Sequence, residues 1–94
     1  MIKSFKHKGL EKFFTTGSIK GIQANHKEKL SLILVALNRA KYIEDLKVPA
    51  FRLHQLKGNL SNLWSITVQA NWCITFEFNE ETQNVYIVDY QDYH

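Results

Sequence analysis

The chain has 94 residues, 45% of them hydrophobic and 13% aromatic, which is material for one modest core and no second domain. Four glycines and one proline exclude a low-complexity or disordered chain. No stretch approaches the roughly 20 apolar residues of a membrane span, and the opening MIKSFKHKGLEKFF lacks the apolar run of a signal peptide. The single cysteine, Cys73, cannot form an internal disulfide or build a zinc site alone. The expectation is a reduced, cytoplasmic domain spanning residues 1–94, with no membrane partner.

Residues 2–7 alternate weakly and predict a short strand. Leu10, Phe13 and Phe14 follow at i, i+3, i+4 and predict a short helix stopped by Gly17. Asn25, with Glu28 three residues on, has the form of a helix cap. Beyond it Leu30, Ile33, Leu34, Leu37 and Ala40 make an apolar stripe at helical spacing, in a helix that must end before Pro49. The period then changes to two. Phe51 and Leu53 alternate with Arg52 and His54. Trp64, Ile66 and Val68 alternate with Ser65, Thr67 and Gln69. Trp72, Ile74, Phe76 and Phe78 alternate with Cys73, Thr75 and Glu77, and Val85 and Ile87 with Tyr86 and Val88. Four such runs joined by short reversals at 70–71 and 79–84 predict antiparallel neighbours with one apolar and one polar face. The fold class expected is α+β, in the order strand–helix–helix–strand–strand–strand–strand, with both helices on the apolar face.

Charge is unevenly spread. Residues 1–57 hold all twelve Lys and Arg against four acids, a net +8, whereas residues 58–94 hold five acids and no cation, a net −5. Such asymmetry points to a polyanionic partner, although sequence segregation does not require spatial segregation. The open sheet face is expected to carry Arg52, His54, Ser65, Thr67, Gln69, Cys73, Thr75 and Glu77, with Lys57 just beyond. The chain ends Asp92–Tyr93–His94 directly after a strand, so a tail folded over that face brings a carboxylate, a phenol and an imidazole toward a second imidazole and two cations.

That set suits RNA cleavage through the substrate's own 2′-hydroxyl. Two imidazoles serve the proton transfers, Arg52 and Lys57 the phosphoryl charge, and a tyrosine can stack on a base. Each residue also has a duller reading. A lone strand histidine is more often a surface group than a catalyst, chain ends fray, and exposed cations are commonly just solvated. Trp64 and Trp72 fall on the apolar alternation and belong in the core, and His7 and His26 have no partner in sequence. No ligand spacing for a metal occurs, nor a glycine-rich phosphate loop or a nucleophile elbow.

The strings RLHQLKG (52–58), WSITVQANWCITFEF (64–78) and VDYQDYH (88–94), together with the N-terminal IKSFKHKGLEKFF, resemble the HigB branch of the RelE toxin superfamily. The likeness spans the chain and is loosest over 18–50. It implies a small antiparallel sheet with helices on one face. It also implies a ribosome-dependent endoribonuclease that cuts messenger RNA in the decoding site without metal or cofactor, leaving a 2′,3′-cyclic phosphate. The implied partners are the 70S ribosome, messenger RNA and a HigA-like helix-turn-helix antitoxin, through which the complex binds operator DNA. His54 and Lys57 match the L-H-x-L-K-G motif, and Asp92, Tyr93 and His94 the terminal group. The implied roles are proton transfer for His54 and His94, orientation or base for Asp92, nucleotide positioning for Tyr93 and phosphate contact for Lys57. One residue departs from the pattern. Cys73 stands where the family's arginine is expected in N-W-R, and a thiol carries no positive charge and is a weak donor. Either Arg52 or another cation compensates in a natural variant, or Cys73 is a detoxifying substitution. The competing functions are a non-catalytic RNA- or ribosome-binding module and an antitoxin-interaction protein.

Overall fold

A computed structural model describes residues 1–60 and 62–92. The first helix, α1, runs Lys8–Thr16 and the second, α2, Lys27–Arg39. The strands are β1 (His54–Gln55), β2 (Leu63–Gln69), β3 (Trp72–Asn79) and β4 (Asn84–Asp92). They form one antiparallel sheet in the order β1-β2-β3-β4, so the expected α+β class holds. Leu10 and Phe13 of α1 and Leu30, Ile33, Leu34 and Leu37 of α2 are buried in one core with Ile66, Ile74, Phe76, Val85, Val88 and Tyr90 of the sheet. No helix among the described residues is long and apolar enough to cross a membrane.

Local chemistry sets the helix ends. His7 caps α1, its Nδ1 accepting from the Leu10 N–H at 3.0 Å, and Gly17 closes it at φ 81°, the left-handed conformation that glycine adopts freely. The expected cap at Asn25 does not form. Asn25 lies inside a 3-10 turn spanning Ala24–His26, and its side chain donates instead to Gln69 Oε1 at 3.2 Å.

The helix-to-loop packing at Gly9 is close. A Cβ there meets Gly21 Cα at 2.8 Å and Gly21 O at 3.0 Å, both backbone atoms. Alanine normally gains about 1 kcal/mol over glycine in a helix, but backbone cannot swing aside and overpacking costs about 1–3 kcal/mol. Gly9→Ala is therefore expected to lower stability by up to about 2 kcal/mol net of that gain. Urea unfolding checks this, and a more stable variant contradicts it.

Three strand expectations need correction. Residues 2–7 do not form a full strand. They run parallel to β4 through two isolated bridges, Ile2–Val85 and Phe5–Val88, because β4 bulges between them. Phe76 there faces both Ile87 and Val88, the register passing from Thr75–Asp89 to Glu77–Tyr86. Ile87 sits at φ 49°, a left-handed conformation that costs a β-branched residue about 1–2 kcal/mol, and its N–H is taken by Ser4 Oγ at 2.8 Å. The bulge also reverses the predicted alternation: Ile87 is exposed, and Val88 enters the core. Finally, the run 51–56 pairs over only two residues. Pro49–Phe51 forms a 3-10 turn and Arg52 adopts φ 48°, so the ladder starts at His54.

Candidate active site

The sheet face opposite the helices is built from cross-strand rows, since directly paired residues share a face. One row reads His54–Ser65–Thr75–Asp89, and its neighbour Thr67–Cys73–Gln91. The face is less open than the alternation suggests. Ser65, Thr75 and Cys73 are buried, because small side chains at the centre of a twisted sheet lie below longer neighbours. Gln91 ties the two rows together, its Nε2 donating to Asp89 Oδ2 at 2.7 Å and to Thr75 Oγ1 at 3.2 Å.

His54 is exposed at the edge of this face. Its Nδ1 lies 3.2 Å from the Arg52 carbonyl oxygen. A carbonyl only accepts, so Nδ1 carries the proton and a neutral ring leaves Nε2 as a free lone pair. Arg52 and Lys57 are exposed on either side of His54. Arg52 and Lys57 give the edge that carries His54 a cationic rim.

Cys73 occupies the middle of the face. Burial pushes its thiol above the ordinary cysteine range, opposed by the nearby Ser65 hydroxyl and reinforced by Asp89 and Asp92. The Ser65 hydroxyl has no partner within hydrogen-bond geometry among the described residues, so its influence on the sulfur is weak polarisation and desolvation dominates. A neutral, covered thiol is neither nucleophile nor cation.

Asp92 is not beside His54. It lies on β4, paired with Trp72 of β3, three strands from β1, roughly 14 Å at about 4.8 Å per strand. Strand parity places it on the side of Tyr90 rather than of Asp89 and Gln91. Burial chiefly raises the Cys73 thiol, and the Asp92 charge adds only the smallest of the contributions to that rise. Tyr93 and His94 lie outside the described residues. Of the expected site residues, the structure thus brings together Arg52 and His54, sets Lys57 on the same edge, centres Cys73, and holds Asp92 at the far end.

Two residues with no assigned role in sequence prove structural. His26 is buried and lies 2.6 Å from the Tyr90 hydroxyl through Nδ1, and Tyr90 also accepts from the Gln23 N–H at 3.3 Å. With a single proton on the phenol, it donates to His26 and accepts from Gln23. Trp72 stacks on Tyr90 with ring centroids 4.6 Å apart, and His7 and His26 approach Tyr90 edge-on. This cluster holds the end of β4, where Asp92 begins the tail. Tyr90→Phe leaves the Gln23 N–H and His26 Nδ1 unpaired, and is expected to cost about 1–3 kcal/mol. Burial, with the Gln23 N–H opposing and Asp92 adding, raises the Tyr90 phenol above its ordinary value. Its stabilising contribution is therefore complete below the unfolded tyrosine's value and is lost as pH rises through the folded one. Thermal melts of parent and Tyr90→Phe between neutral and alkaline pH check both statements. Equal stability at neutral pH contradicts the first.

The residues that sequence reasoning did not single out are Asp89 and Gln91. Their alternation toward the tail was legible, but the bulge at Ile87 hides its phase. Among the described residues no group of three or more His, Cys, Asp or Glu side chains is placed to hold a metal ion.

Comparison with known proteins agrees with this architecture. A family model described as the RelE-like toxin of the type II toxin–antitoxin system HigB matches residues 3–94. A Proteus vulgaris protein named Endoribonuclease HigB is 45% identical over 94 residues, covering 100% of both chains. Among solved structures, a YoeB/ParE toxin from Agrobacterium tumefaciens superposes with a TM-score of 0.65 at 14% identity, covering 99% of this chain and 98% of that one. YafQ from Escherichia coli superposes at 0.58 and 13% identity, covering 98% and 91%. Those two likenesses bear on the fold alone.

Proposed function

The chain belongs to the HigB-like toxins, RelE-like proteins of type II toxin–antitoxin systems, and from that premise we propose that it is a ribosome-dependent endoribonuclease that cuts messenger RNA in the decoding site. Membership of a type II family implies an antitoxin partner. We further assign that partner to a HigA-like helix-turn-helix protein, which neutralises the toxin and carries the complex to operator DNA.

The observation that carries the reading is the His54 edge. An exposed imidazole with its Nδ1–H held by a carbonyl and Nε2 free is set up as a general base, since geometry and tautomer both matter for proton transfer. The scissile phosphate lies over Ser65, Thr75 and Cys73. Nε2 of His54 takes the proton from the 2′-hydroxyl. The 2′-oxygen attacks the adjacent phosphorus in line, and the bond to the 5′-oxygen breaks. His94 gives that oxygen its proton, leaving a 2′,3′-cyclic phosphate and a free 5′-hydroxyl. Arg52 and Lys57 draw off phosphoryl charge. Tyr93 positions the nucleotide, and Asp92 orients the tail imidazole. No cofactor or metal takes part in this scheme.

The test is cleavage of messenger on programmed ribosomes, mapped by primer extension. A messenger with a single 2′-deoxy nucleotide at the cut position is expected to be left intact there while its unmodified counterpart is cut. Cleavage of both, or of neither across varied codons, contradicts the scheme. One observation favours a second reading: among the described residues the face lacks a cation at its centre, where Cys73 is neutral and Asp89 contributes negative charge. A non-catalytic RNA- or ribosome-binding module, or an antitoxin-interaction protein, needs no such cation.

A further inference from the structure

A cleft of 570 Å³ opens where α2 meets the 49–52 turn and the β2–β3 hairpin. Lys29, Arg52, Thr67 and Gln69 line it, none of its lining residues is acidic, and the rest of its wall is apolar. The donors are held in place. Lys29 Nζ donates to the Ala50 carbonyl at 2.9 Å, tethering the ammonium at the rim with two protons to spare. Gln69 accepts from Asn25 through Oε1, which turns its NH₂ group, a pure donor, toward other partners. The Arg52 guanidinium adds up to five donors. A concave site with two cations, an amide donor and a hydroxyl, and no carboxylate, selects an anion with several acceptor oxygens.

The position narrows the anion further. Arg52 is shared with the rim of the candidate active site, and Thr67 of the same cleft pairs directly with Cys73. The cleft therefore lies one or two strand spacings, roughly 5–10 Å, from the centre of that face. A polyanion crossing the face runs straight into it. We propose that this cleft is a second phosphodiester-binding subsite, with Lys29 and Gln69 as its own ligands and Arg52 shared, holding the RNA backbone beside the scissile linkage. The proposal rests on the nuclease reading and extends it to the register of the substrate.

The phosphodiester can come from messenger or from ribosomal RNA, and the experiment separates them. Intact chain, Lys29→Gln, Gln69→Glu and the control Lys12→Gln are bound to ribosomes with and without a messenger carrying a 2′-deoxy nucleotide at the cut position, across a range of salt. Each lost phosphate contact on a single strand flattens the slope of log affinity against log salt by about 0.7. Lys29→Gln is expected to weaken binding about tenfold and flatten the slope by that amount, and Gln69→Glu, which puts a carboxylate against the phosphate, to weaken binding about tenfold. Lys12→Gln, an equal charge change on α1, is expected to leave both unaltered. Loss confined to programmed ribosomes identifies a messenger phosphate, and loss on both identifies a ribosomal one. Unchanged affinity and slope in both cleft variants overturn the subsite. A parent chain that binds neither kind of ribosome overturns the nuclease reading instead. Should the parent bind neither kind of ribosome, the same variants are read on free single-stranded RNA, where unchanged slopes overturn the subsite as well.

Discussion

Replacing Cys73 by arginine is expected to accelerate messenger cleavage on ribosomes by about 10²–10³-fold, the usual worth of one transition-state charge stabiliser. The structure supplies the reason. Position 73 is the centre of the sheet face, between Thr67 and Gln91. The thiol there is neutral, and Asp89 and Asp92 both act on it electrostatically. Both carboxylates oppose the extra charge of a pentacoordinate phosphorus at this point. An arginine at 73 adds a positive charge there, and its long stem can carry the guanidinium out over Ser65 and Thr75. The two carboxylates reduce its desolvation cost. The rim cations Arg52 and Lys57 sit one or more strands away and meet only the periphery of that charge. Parent and Cys73→Arg are compared by single-turnover cleavage, with a ribosome-free control and a thermal melt. Equal rates mean that Arg52 or another cation already does this work and that Cys73 is a tolerated residue. A far faster variant means that the chain as it stands is an attenuated toxin.

His54→Ala is expected to slow cleavage by about 10²–10⁴-fold, the range of a positioned general base. Stability is expected to change by less than about 0.5 kcal/mol, because the side chain is exposed on an edge strand and supports no packing. That separation is the useful part. A histidine that merely held structure shows the opposite pattern, with a lower melting temperature and little effect on rate. Because Nδ1 is engaged by the Arg52 carbonyl, His54→Asn is a sharper companion. It keeps a donor near that carbonyl but has no titratable lone pair, and it is expected to be as inactive as alanine. The measurement is best made in the Cys73→Arg background, where the signal is larger. Retention of full rate by both variants removes His54 from the mechanism and leaves the tail to carry both proton transfers.

Much of this protein was legible in its sequence. The α2 stripe from Leu30 to Leu37, the Gly17 stop, and the four period-two runs led to an α+β sheet with helices on one face. They did so because burial of one face imposes its period on the residues that make it. His54, Arg52 and Lys57 were likewise found on a shared edge, since a short motif keeps its members adjacent in any fold. Other features depended on contacts between distant segments. Only the tertiary structure decided that Ile87 turns out and Val88 in, because the bulge arises from pairing with both β3 and the N-terminal segment. It alone gave His26 its place against Tyr90 across 64 residues, and cut β1 to two residues through the backbone at Arg52. It set Asp92 on the far strand, away from His54, since sheet order rather than alternation fixes lateral distance. And it buried Cys73: alternation assigns a residue to a face, but its accessibility follows from the size of the neighbours on the adjoining strands.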